Sequence, residues 1–334
     1  MPLKRLHRMI LAICILAAVL LTGFLWISSS KLLTPTRRAL EPRHLAQLSQ
    51  PAEYGLSLAP FAVATEDGAS LDACLVTAAD QPGKAEKSRR MAERLGLPYG
   101  TATRPRGTVF LLHGRSGIKE DMLAIAERFV AAGYRCVVYD ARCHGQSGGS
   151  VCTFGHRETR DFSRVIDAAC ERISARDGDP GQLCAVGVSL GASVILQSLP
   201  LEKRLDAVVA VAPFATLSEV VQHAAKRNIH ARIPDWLIAG TLHTGGWRAG
   251  FAPFRIAPLD ALRSTSVPVF FVHGALDGVI PSEHSQRLYA AASGTKALRI
   301  VPGGNHGNVL AQGGDELYAE MIRFCLTVGS TGTD

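Results

Sequence analysis

The stretch LCAVGVSLGASVIL, residues 183–196, decides the fold of this chain. Its first half is a short apolar run of the kind that forms a buried strand, and its second half has the composition of a packed helix. Ser189 lies at the junction, with Gly187 and Gly191 two residues away on either side. A strand that turns sharply into a helix exposes the side chain at the turn, and glycines allow the close packing around it. This context predicts a nucleophilic serine at position 189.

A second Gly-x-Ser-x-Gly pattern, from Gly145 to Gly149, offers Ser147 as an alternative. Ser147 lies seven residues beyond Asp140, where the preceding apolar run ends, and no helix pattern follows it directly. A connecting loop explains this segment better than an exposed nucleophile, so Ser189 is favoured.

Apolar runs alternate with helix-length amphipathic segments on both sides of Ser189. The strand-like runs are GTVFLLHG, YRCVVYD, LCAVGVS, LDAVVAVAP, VPVFFVHG and ALRIVPG. Continuous apolar strands separated by helices predict an α/β fold with a mostly parallel sheet that helices cover on both faces. Upstream, alternating residues around Asp67-Gly68 predict an antiparallel hairpin, and residues 80–106 have the composition of an exposed charged connection.

A serine hydroxyl needs a base to remove its proton, and functional groups of such sheets gather at the carboxyl ends of the strands. Asp277 follows the run VPVFFVHG and His306 follows ALRIVPG, so both are expected at that edge. Asp260 is a weaker substitute because it precedes its strand. His284 competes with His306 but falls at a predicted helix start, where surface exposure is expected.

The motifs LLHGRSG, YDARCHGQS, GVSLGAS, FVHGALDGVIP and GGNHG resemble those of the α/β-hydrolase superfamily over residues 61–327. Within it, the chain is similar to the prolyl-oligopeptidase-like and the α/β-hydrolase domain-containing esterase groups. The resemblance implies an eight-stranded sheet with a small helical cap. It also implies that Ser189 is the nucleophile, that His306 is general base and acid, and that Asp277 orients the imidazole. The backbone amides of Leu190 and Arg115 are implied as the oxyanion hole.

One motif departs from its relatives, which have Gly where this chain has Cys143, and the backbone of that loop is therefore in question. The resemblance assigns Asp140, Arg142, His144 and Ser147 of this loop to its architecture. His113 and His273 each precede a glycine at a strand end, and both are interpreted as structural.

The N-terminus predicts a membrane segment. After Lys4, Arg5 and Arg8, residues 9–27 carry no charge and are long enough to cross the hydrocarbon of a bilayer as a helix. The length favours an uncleaved anchor over a cleaved signal peptide, which remains the alternative. The division of the chain is then an anchor or signal segment over 1–30, a polar linker over 31–60 and the α/β domain over 61–327, with the domain expected on the extracytoplasmic side.

About fifty residues separate two consecutive strands, and the excess predicts a cap inserted at about 214–265. Four aromatic residues of this segment can line an acyl pocket, form the core of the cap or touch the bilayer. They are Trp236, Trp247, Phe251 and Phe254.

The net charge of +7 comes without a nucleic-acid-binding motif, so membrane flanks and solubility explain it better. Eight cysteines show no zinc-like spacing, no dinucleotide or phosphate motif occurs, and neither a metal nor a cofactor is expected. Cys143 and Cys152 can close a short disulfide loop if the domain lies outside the cytoplasm.

These features predict a serine hydrolase that cleaves carboxylic esters or thioesters of acyl or lipid-like substrates. A serine peptidase or aminopeptidase is the alternative, although the cap segment offers only Glu219 and Asp235 to hold a free amine. An inactive binding protein with the same fold is the alternative from another class.

Overall fold

The computed structural model describes residues 2–99 and 105–329. The strands are β1 (Leu56–Ala64), β2 (Ser70–Ala78), β3 (Gly107–Leu112), β4 (Arg135–Tyr139), β5 (Gln182–Val188), β6 (Ala207–Val211), β7 (Val269–Gly274) and β8 (Lys296–Val301). They form an eight-stranded sheet in the order β1-β2-β4-β3-β5-β6-β7-β8. Strands β3 to β8 pair in parallel, whereas β2 is antiparallel to both of its neighbours.

The described helices are α1 (Pro2–Leu33), α2 (Pro42–Ser49), α3 (Glu86–Leu95), α4 (Leu123–Ala131), α5 (Glu158–Asp177), α6 (Leu190–Ser198), α7 (Leu217–Asn228), α8 (Asp235–Ala249), α9 (Pro258–Leu262), α10 (Glu283–Ala291) and α11 (Val309–Gly329). Short 3-10 turns lie at Pro51–Tyr54, Lys119–Met122 and Pro253–Arg255.

Helices cover both faces of the central strands, as the continuous apolar runs predict. In β3, Phe110 packs in one apolar cluster while its neighbours Val109 and Leu111 pack in another, because successive strand side chains point to opposite faces. Phe162 of α5 belongs to the first cluster and Phe129 of α4 to the second. Each large side chain buried in this way contributes roughly 1.5–3 kcal/mol to stability. The predicted α/β fold with a mostly parallel sheet is confirmed.

The hairpin predicted around Asp67-Gly68 joins β1 to β2. Ala64 lies opposite Ser70, and the turn between them carries Gly68 at a φ of 81°. A positive φ is costly for residues with a side chain, so glycine suits this position.

The segment 31–60 differs from the expected linker because it is folded against the domain. Helix α1 continues to Leu33, α2 follows, and β1 begins at Leu56. The Arg37 guanidinium donates to the carbonyl oxygens of His144 at 3.1 Å and Ser147 at 2.7 Å. Such partners exist only in the folded chain, and local sequence patterns do not show them.

The charged stretch 80–106 also contains more structure than expected. Helix α3 occupies Glu86–Leu95, Met91 is fully buried, and Ser88 Oγ donates to the carbonyl oxygen of Glu127 at 3.1 Å. One buried apolar residue is too weak a signal to predict a helix, because packing rather than propensity stabilises it. Residues 100–104 of this stretch lie outside the described residues.

The cap predicted at about 214–265 corresponds to α7, α8 and α9, which separate β6 from β7. It lies against the end of the sheet at which β5, β7 and β8 terminate, because α7 lines the same cavity as Ser189.

Candidate active site

The three residues that the sequence singles out lie at one edge of the sheet. Ser189 directly follows β5, Asp277 lies three residues after β7, and His306 lies five residues after β8. The strands β5, β6, β7 and β8 are consecutive neighbours and run in parallel, so their carboxyl ends meet at this edge.

Ser189 occupies a sharp turn between β5 and α6. Its φ of 54° and ψ of −115° are unusual for a residue with a side chain. A Cβ atom on Gly187 would lie 2.4 Å from the backbone nitrogen of Ala192, and one on Gly191 would lie 2.2 Å from the carbonyl oxygen of Leu112. The two glycines therefore let the strand and the helix approach closely enough to hold this turn.

Hydrogen bonds connect the three side chains in series. His306 Nε2 lies 3.0 Å from Ser189 Oγ, and His306 Nδ1 lies 2.7 Å from Asp277 Oδ2. The Asp277 side chain is buried, whereas that of His306 keeps 22% of its surface exposed. The imidazole can therefore bridge the hydroxyl and the carboxylate while remaining open to a substrate.

The Asp277 carboxylate has further donors that keep it ionised. Its Oδ1 accepts hydrogen bonds from the amides of Val279 and Ile280, both at 2.9 Å, and His273 Nε2 lies 3.2 Å from Oδ2. Burial acts to raise the pKa of Asp277, but the hydrogen bonds from His273, His306 and Ile280 outweigh it and hold the pKa well below its ordinary value.

His273 was interpreted as a structural residue, and its contact with Asp277 gives it a more specific position. It is fully buried, and its Nδ1 lies 2.6 Å from Ser285 Oγ while Nε2 lies 2.8 Å from the carbonyl oxygen of Ile280. The serine hydroxyl therefore donates to Nδ1, and Nε2 carries the proton that faces Ile280 and Asp277. Its position at a strand end was the only sequence signal for this role.

The amides of Leu190 and Arg115 lie beside Ser189. Leu190 opens α6, and Arg115 follows Gly114, where an added Cβ would lie 3.2 Å from Ser189 Cβ. Within the part of the chain that the structure describes, neither amide donates a hydrogen bond to another group. Both residues line the same cavity as Ser189, and their role as oxyanion donors stays a prediction.

The loop after β4 contains the competing serine. Ser147 is buried, its Oγ donates to the carbonyl oxygen of Asp140 at 2.6 Å, and it accepts from the amide of Asp72 at 2.8 Å. This serine therefore ties the loop to the sheet. Cys143 has a left-handed conformation, with a φ of 54°, a backbone geometry that glycine adopts most easily.

Cys143 and Cys152, for which the sequence allowed a disulfide, are both buried free thiols. The substitute carboxylate Asp260 is exposed on α9 and pairs with Arg263. The structure thus leaves Asp277 as the acid beside His306.

The expected surface exposure of His284 is wrong. This residue is 6% exposed, and its Nδ1 accepts a hydrogen bond from the amide of Ala215 at 3.1 Å. The contact joins the start of α10 to the segment after β6, and it arises only once β6 and β7 lie side by side. The second structural histidine, His113, is buried and accepts from the amide of Ala141 at 3.0 Å.

A cavity of about 510 Å³ opens above Ser189. Its walls are mainly apolar and come from three helices, of which α7 and α8 belong to the cap and α1 is the N-terminal helix. Lys31, Arg115 and His306 are the basic residues that line the cavity, and no carboxylate of the described residues does so.

None of the four cap aromatics lines this cavity. Trp236, Trp247 and Phe254 are exposed, whereas Phe251 is buried in the main apolar cluster and stacks on His156. The alternative in which these residues line a pocket is therefore wrong for this cavity, whose apolar lining comes largely from α7.

Comparisons with known proteins agree with this architecture. A profile of the family described as "Serine aminopeptidase, S33" matches residues 103–247. The protein YqkD of Bacillus subtilis is 29% identical over 202 residues, which make up 60% of this chain and 64%, somewhat less than two thirds, of that protein. The lysophosphatidylserine lipase ABHD12 of Xenopus tropicalis is 24% identical over 198 residues, or 57% of this chain and 48% of that protein.

Among solved structures, the Pyrococcus furiosus esterase Pf2001 superposes with a TM-score of 0.61 at 20% sequence identity. The match covers 88% of this chain and 97% of the esterase. The fold is thus that of the α/β hydrolases. The matching profile, the esterase and the lipase are all described as hydrolases.

Proposed function

We propose that this chain is a membrane-anchored serine hydrolase that cleaves carboxylic esters or thioesters of acyl substrates. The observation that carries the proposal is the hydrogen-bonded series of Ser189, His306 and Asp277 at the floor of an apolar cavity.

The geometry supports a two-step acyl transfer. Ser189 Oγ attacks the substrate carbonyl carbon while its proton passes to His306 Nε2, and the carbonyl oxygen becomes an oxyanion that the amides of Leu190 and Arg115 bind. The imidazolium then protonates the leaving alcohol or thiol, and an acyl-enzyme remains. Asp277 accepts the hydrogen bond from Nδ1 throughout and stabilises the charged imidazole.

Water resolves the acyl-enzyme by the reverse proton path. His306 Nε2 takes a proton from water, the resulting hydroxide attacks the acyl carbonyl, and the same proton returns to Ser189 Oγ as the carboxylic acid leaves. The two amides bind the second oxyanion as they bind the first, and loss of one such donor typically costs about 3 kcal/mol of transition-state stabilisation.

The cavity favours an acyl substrate over a peptide. An aminopeptidase needs carboxylates to hold a free amine, and no described carboxylate lines the cavity. Glu219 instead pairs with Arg287, and Asp235 pairs with Lys226. The relatives named as an esterase and a lipase agree with this choice, although the matching family profile carries the aminopeptidase description.

Retention of α1 as an anchor is supported by its packing on the domain. Ser29 is fully buried, Arg248 Nη1 donates to Ser29 Oγ at 2.8 Å, and the amide of Cys152 donates to the carbonyl oxygen of Leu33 at 2.8 Å. Cleavage after Ser30 would remove Ser29 and its hydrogen bond with Arg248. Helix α1 is also long and apolar enough to cross a membrane.

We place the catalytic domain on the extracytoplasmic side. Basic residues flank the span on both sides, with Lys4, Arg5 and Arg8 before it and Lys31, Arg37 and Arg38 after it, so the positive-inside rule gives little orientation and the side has to be measured. Protease digestion of sealed vesicles of known orientation tests this placement, since a domain protected in right-side-out vesicles would contradict it.

Labelling with a fluorophosphonate probe tests the chemistry. Ser189→Ala should abolish labelling and lower ester hydrolysis at least about 10⁴-fold. The matched control is Ser147→Ala, which alters the other Gly-x-Ser-x-Gly serine and should still be labelled. Preferential turnover of aminoacyl amides over p-nitrophenyl esters would favour the peptidase, and labelling of Ser189→Ala would end the proposal.

A further inference from the structure

Helix α1 contributes a wall to the active-site cavity. Phe24, Ser28 and Leu32 line the cavity, and their spacing of four residues places them on one face of the helix. At the reactive end of the cavity, an Nη atom of Arg115 donates to the carbonyl oxygens of Lys31 at 2.7 Å and Leu32 at 2.8 Å. The helix that is apolar enough to cross a membrane is therefore also part of the site.

Helices α1 and α8 run in the same direction. Leu25 contacts the position of Gly240, where an added Cβ would lie 3.1 Å from Leu25 Cδ2, and Ser30 Oγ lies 2.8 Å from Arg248 Nη1. Residues later in α1 therefore contact residues later in α8. The start of α8, and the turn that joins it to α7, must lie beside the part of α1 that precedes Leu25.

This register sets the depth of the cap relative to a bilayer. The uncharged run 9–27 rises about 29 Å as a helix, which matches the roughly 30 Å of hydrocarbon in a bilayer. The part of α1 before Leu25 then lies in hydrocarbon, and the turn between α7 and α8 reaches the same depth. Its charged groups are accommodated there because Lys226 pairs with Asp235 and the long Arg232 side chain can extend toward the headgroups. Ile229 and Trp236, at the two ends of that turn, are 62% and 63% exposed, and a membrane would cover them.

The cavity reaches the surface at this depth. It follows α7 from the buried Leu217, near Ser189, to Ile229, and both Ile229 and Phe24 line the cavity while remaining exposed. Twelve helical steps span about 18 Å, which is slightly more than the roughly 15 Å depth of one hydrocarbon leaflet. A cavity of about 510 Å³ with this length suits an extended acyl chain.

The reactive end lies at the depth of the lipid headgroups. Leu32 is five residues beyond Ile27, the end of the uncharged run, and is therefore about 7.5 Å outside the hydrocarbon. Lys31 and Arg115 are the cations that line this end of the cavity. A lipid ester lies at the boundary between hydrocarbon and headgroups. It can therefore reach Ser189 without moving along the bilayer normal.

We infer that the acyl chain of the substrate passes sideways from the bilayer to Ser189, between α1 and α7. The substrate class is a long-chain acyl ester or thioester that resides in the membrane. Phe24 and Ala224, on the two facing helices, determine chain-length specificity, and α1 is a wall of the site as well as an anchor. This inference rests on the proposed function, because it assigns the substrate of the same site.

The experiment uses the full chain in phosphatidylcholine vesicles with two esters. p-Nitrophenyl palmitate is supplied in the vesicles and p-nitrophenyl acetate in water. The readout is the kcat/KM for palmitate divided by the kcat/KM for acetate. Ala224→Trp fills the cavity and should lower this ratio at least about tenfold, because the long chain loses its space while the short ester does not need it. The matched control is Ala290→Trp, at an exposed position of α10, which should leave the ratio unchanged.

A second pair of variants tests the wall formed by α1. Phe24→Ala should lower the ratio about three- to tenfold through lost contact with the chain, whereas Ile27→Ala, exposed on the same helix and outside the cavity, should not. Both variants alter exposed side chains, so folding is preserved. Fluorophosphonate labelling of each variant checks that the site is still folded.

The outcomes separate the two proposals. A wild-type chain that hydrolyses neither ester would overturn the proposed function and the inference together. Acetate hydrolysis with a palmitate ratio that Ala224→Trp and Phe24→Ala leave unchanged would overturn the inference alone. An equal fall in both activities would also overturn it, because the cavity would then lack chain-length selectivity.

Discussion

Ser189 combines a reactive position with a strained backbone. Its positive φ is held by two glycines whose neighbours leave no room for a Cβ atom, and its amide donates to the carbonyl oxygen of Val211 at 2.7 Å. The cost of order 1–3 kcal/mol for such a conformation is offset by the packing of α6 against the sheet.

Gly191→Ala should disrupt this turn. The new methyl group would lie 2.2 Å from the carbonyl oxygen of Leu112, so α6 must move away from β3. We expect a loss of about 1–3 kcal/mol in stability and a larger loss of activity, because Ser189 and the Leu190 amide move together. Thermal unfolding and fluorophosphonate labelling measure the two effects. Gly23→Ala, with open space around the added Cβ, is the control, and equal behaviour of both variants would contradict this account.

His273 positions Asp277, and its replacement should affect turnover more than binding. His273→Phe removes a hydrogen bond to a buried carboxylate, which is worth about 1.5–3 kcal/mol. We expect kcat to fall at least about tenfold with little change in KM, and His273→Gln, which keeps a donor, should recover part of the loss. A rise in KM with an unchanged kcat would show that His273 has no such role.

Some residues of the site can be predicted from the sequence, and others cannot. Ser189, Asp277 and His306 each follow an apolar run, so a local pattern places them at one sheet edge. The burial of His284 and the contact of His273 with Asp277 depend on partners from other strands. Local patterns do not contain that information.

At the scale of the elements, the buried strands and their crossover helices follow the sequence closely. Each of β3 to β7 matches an apolar run, because a strand covered on both faces needs a continuous series of apolar residues. The edge strand β8 also follows such a run, although it is only partly buried. Helices α2 and α3 were not predicted, since their short, polar sequences fold only against the domain. The packing of α1 against α8 was not predicted either, because it depends on contacts between segments that are distant in the sequence.

His113 links the end of β3 to the segment after β4 and should make stability depend on pH. Its Nε2 accepts from Ala141 and its Nδ1 lies 2.8 Å from the carbonyl oxygen of Gly114, so the bonded form is neutral. Burial, followed by repulsion from His144, lowers the pKa of His113.

The sign of the effect follows from this lowered pKa. An unfolded histidine takes up a proton near pH 6.5, whereas buried His113 does so only at lower pH. The unfolded state therefore binds more protons below about pH 6.5, and stability falls by up to about 1.4 kcal/mol per pH unit until the folded pKa is reached. Thermal midpoints at pH 7.5 and 5.5 measure this loss. His113→Gln, which cannot titrate, should show a smaller difference, and an equal one would assign the pH dependence elsewhere.

Arg248 joins α8 to the end of α1. Its Nη1 donates to Ser29 Oγ and Ser30 Oγ, and its guanidinium lies 3.9 Å from the centre of the Trp26 ring. Arg248→Met should lower the thermal midpoint through the loss of about 1–3 kcal/mol, because the buried hydroxyl of Ser29 loses its donor. Arg263→Met, which removes an exposed pair with Asp260 on α9, is the control and should have little effect.

At the scale of the whole molecule, the α/β domain, the cap and α1 share a single cavity. The sheet holds the reacting groups, the cap supplies most of the apolar wall, and the end of α1 closes the remaining side. An anchor that merely tethered the domain would not need buried contacts with it, yet Ser29 and Leu33 are almost fully buried. The helix is therefore expected to persist in the mature enzyme.

Intact mass of the purified protein tests this expectation. We expect the purified protein to retain the apolar segment 9–27 and to remain in the membrane fraction after a carbonate wash, because an apolar helix of about 30 Å resists extraction. Removal of residues up to Ser28 would take away the Ser28 partner of the Thr241 hydroxyl, and removal up to Ser30 would also take away the two serine partners of Arg248. A soluble product that starts after Ser28 or Ser30 and retains palmitate hydrolysis would show that neither the domain nor the cavity needs α1.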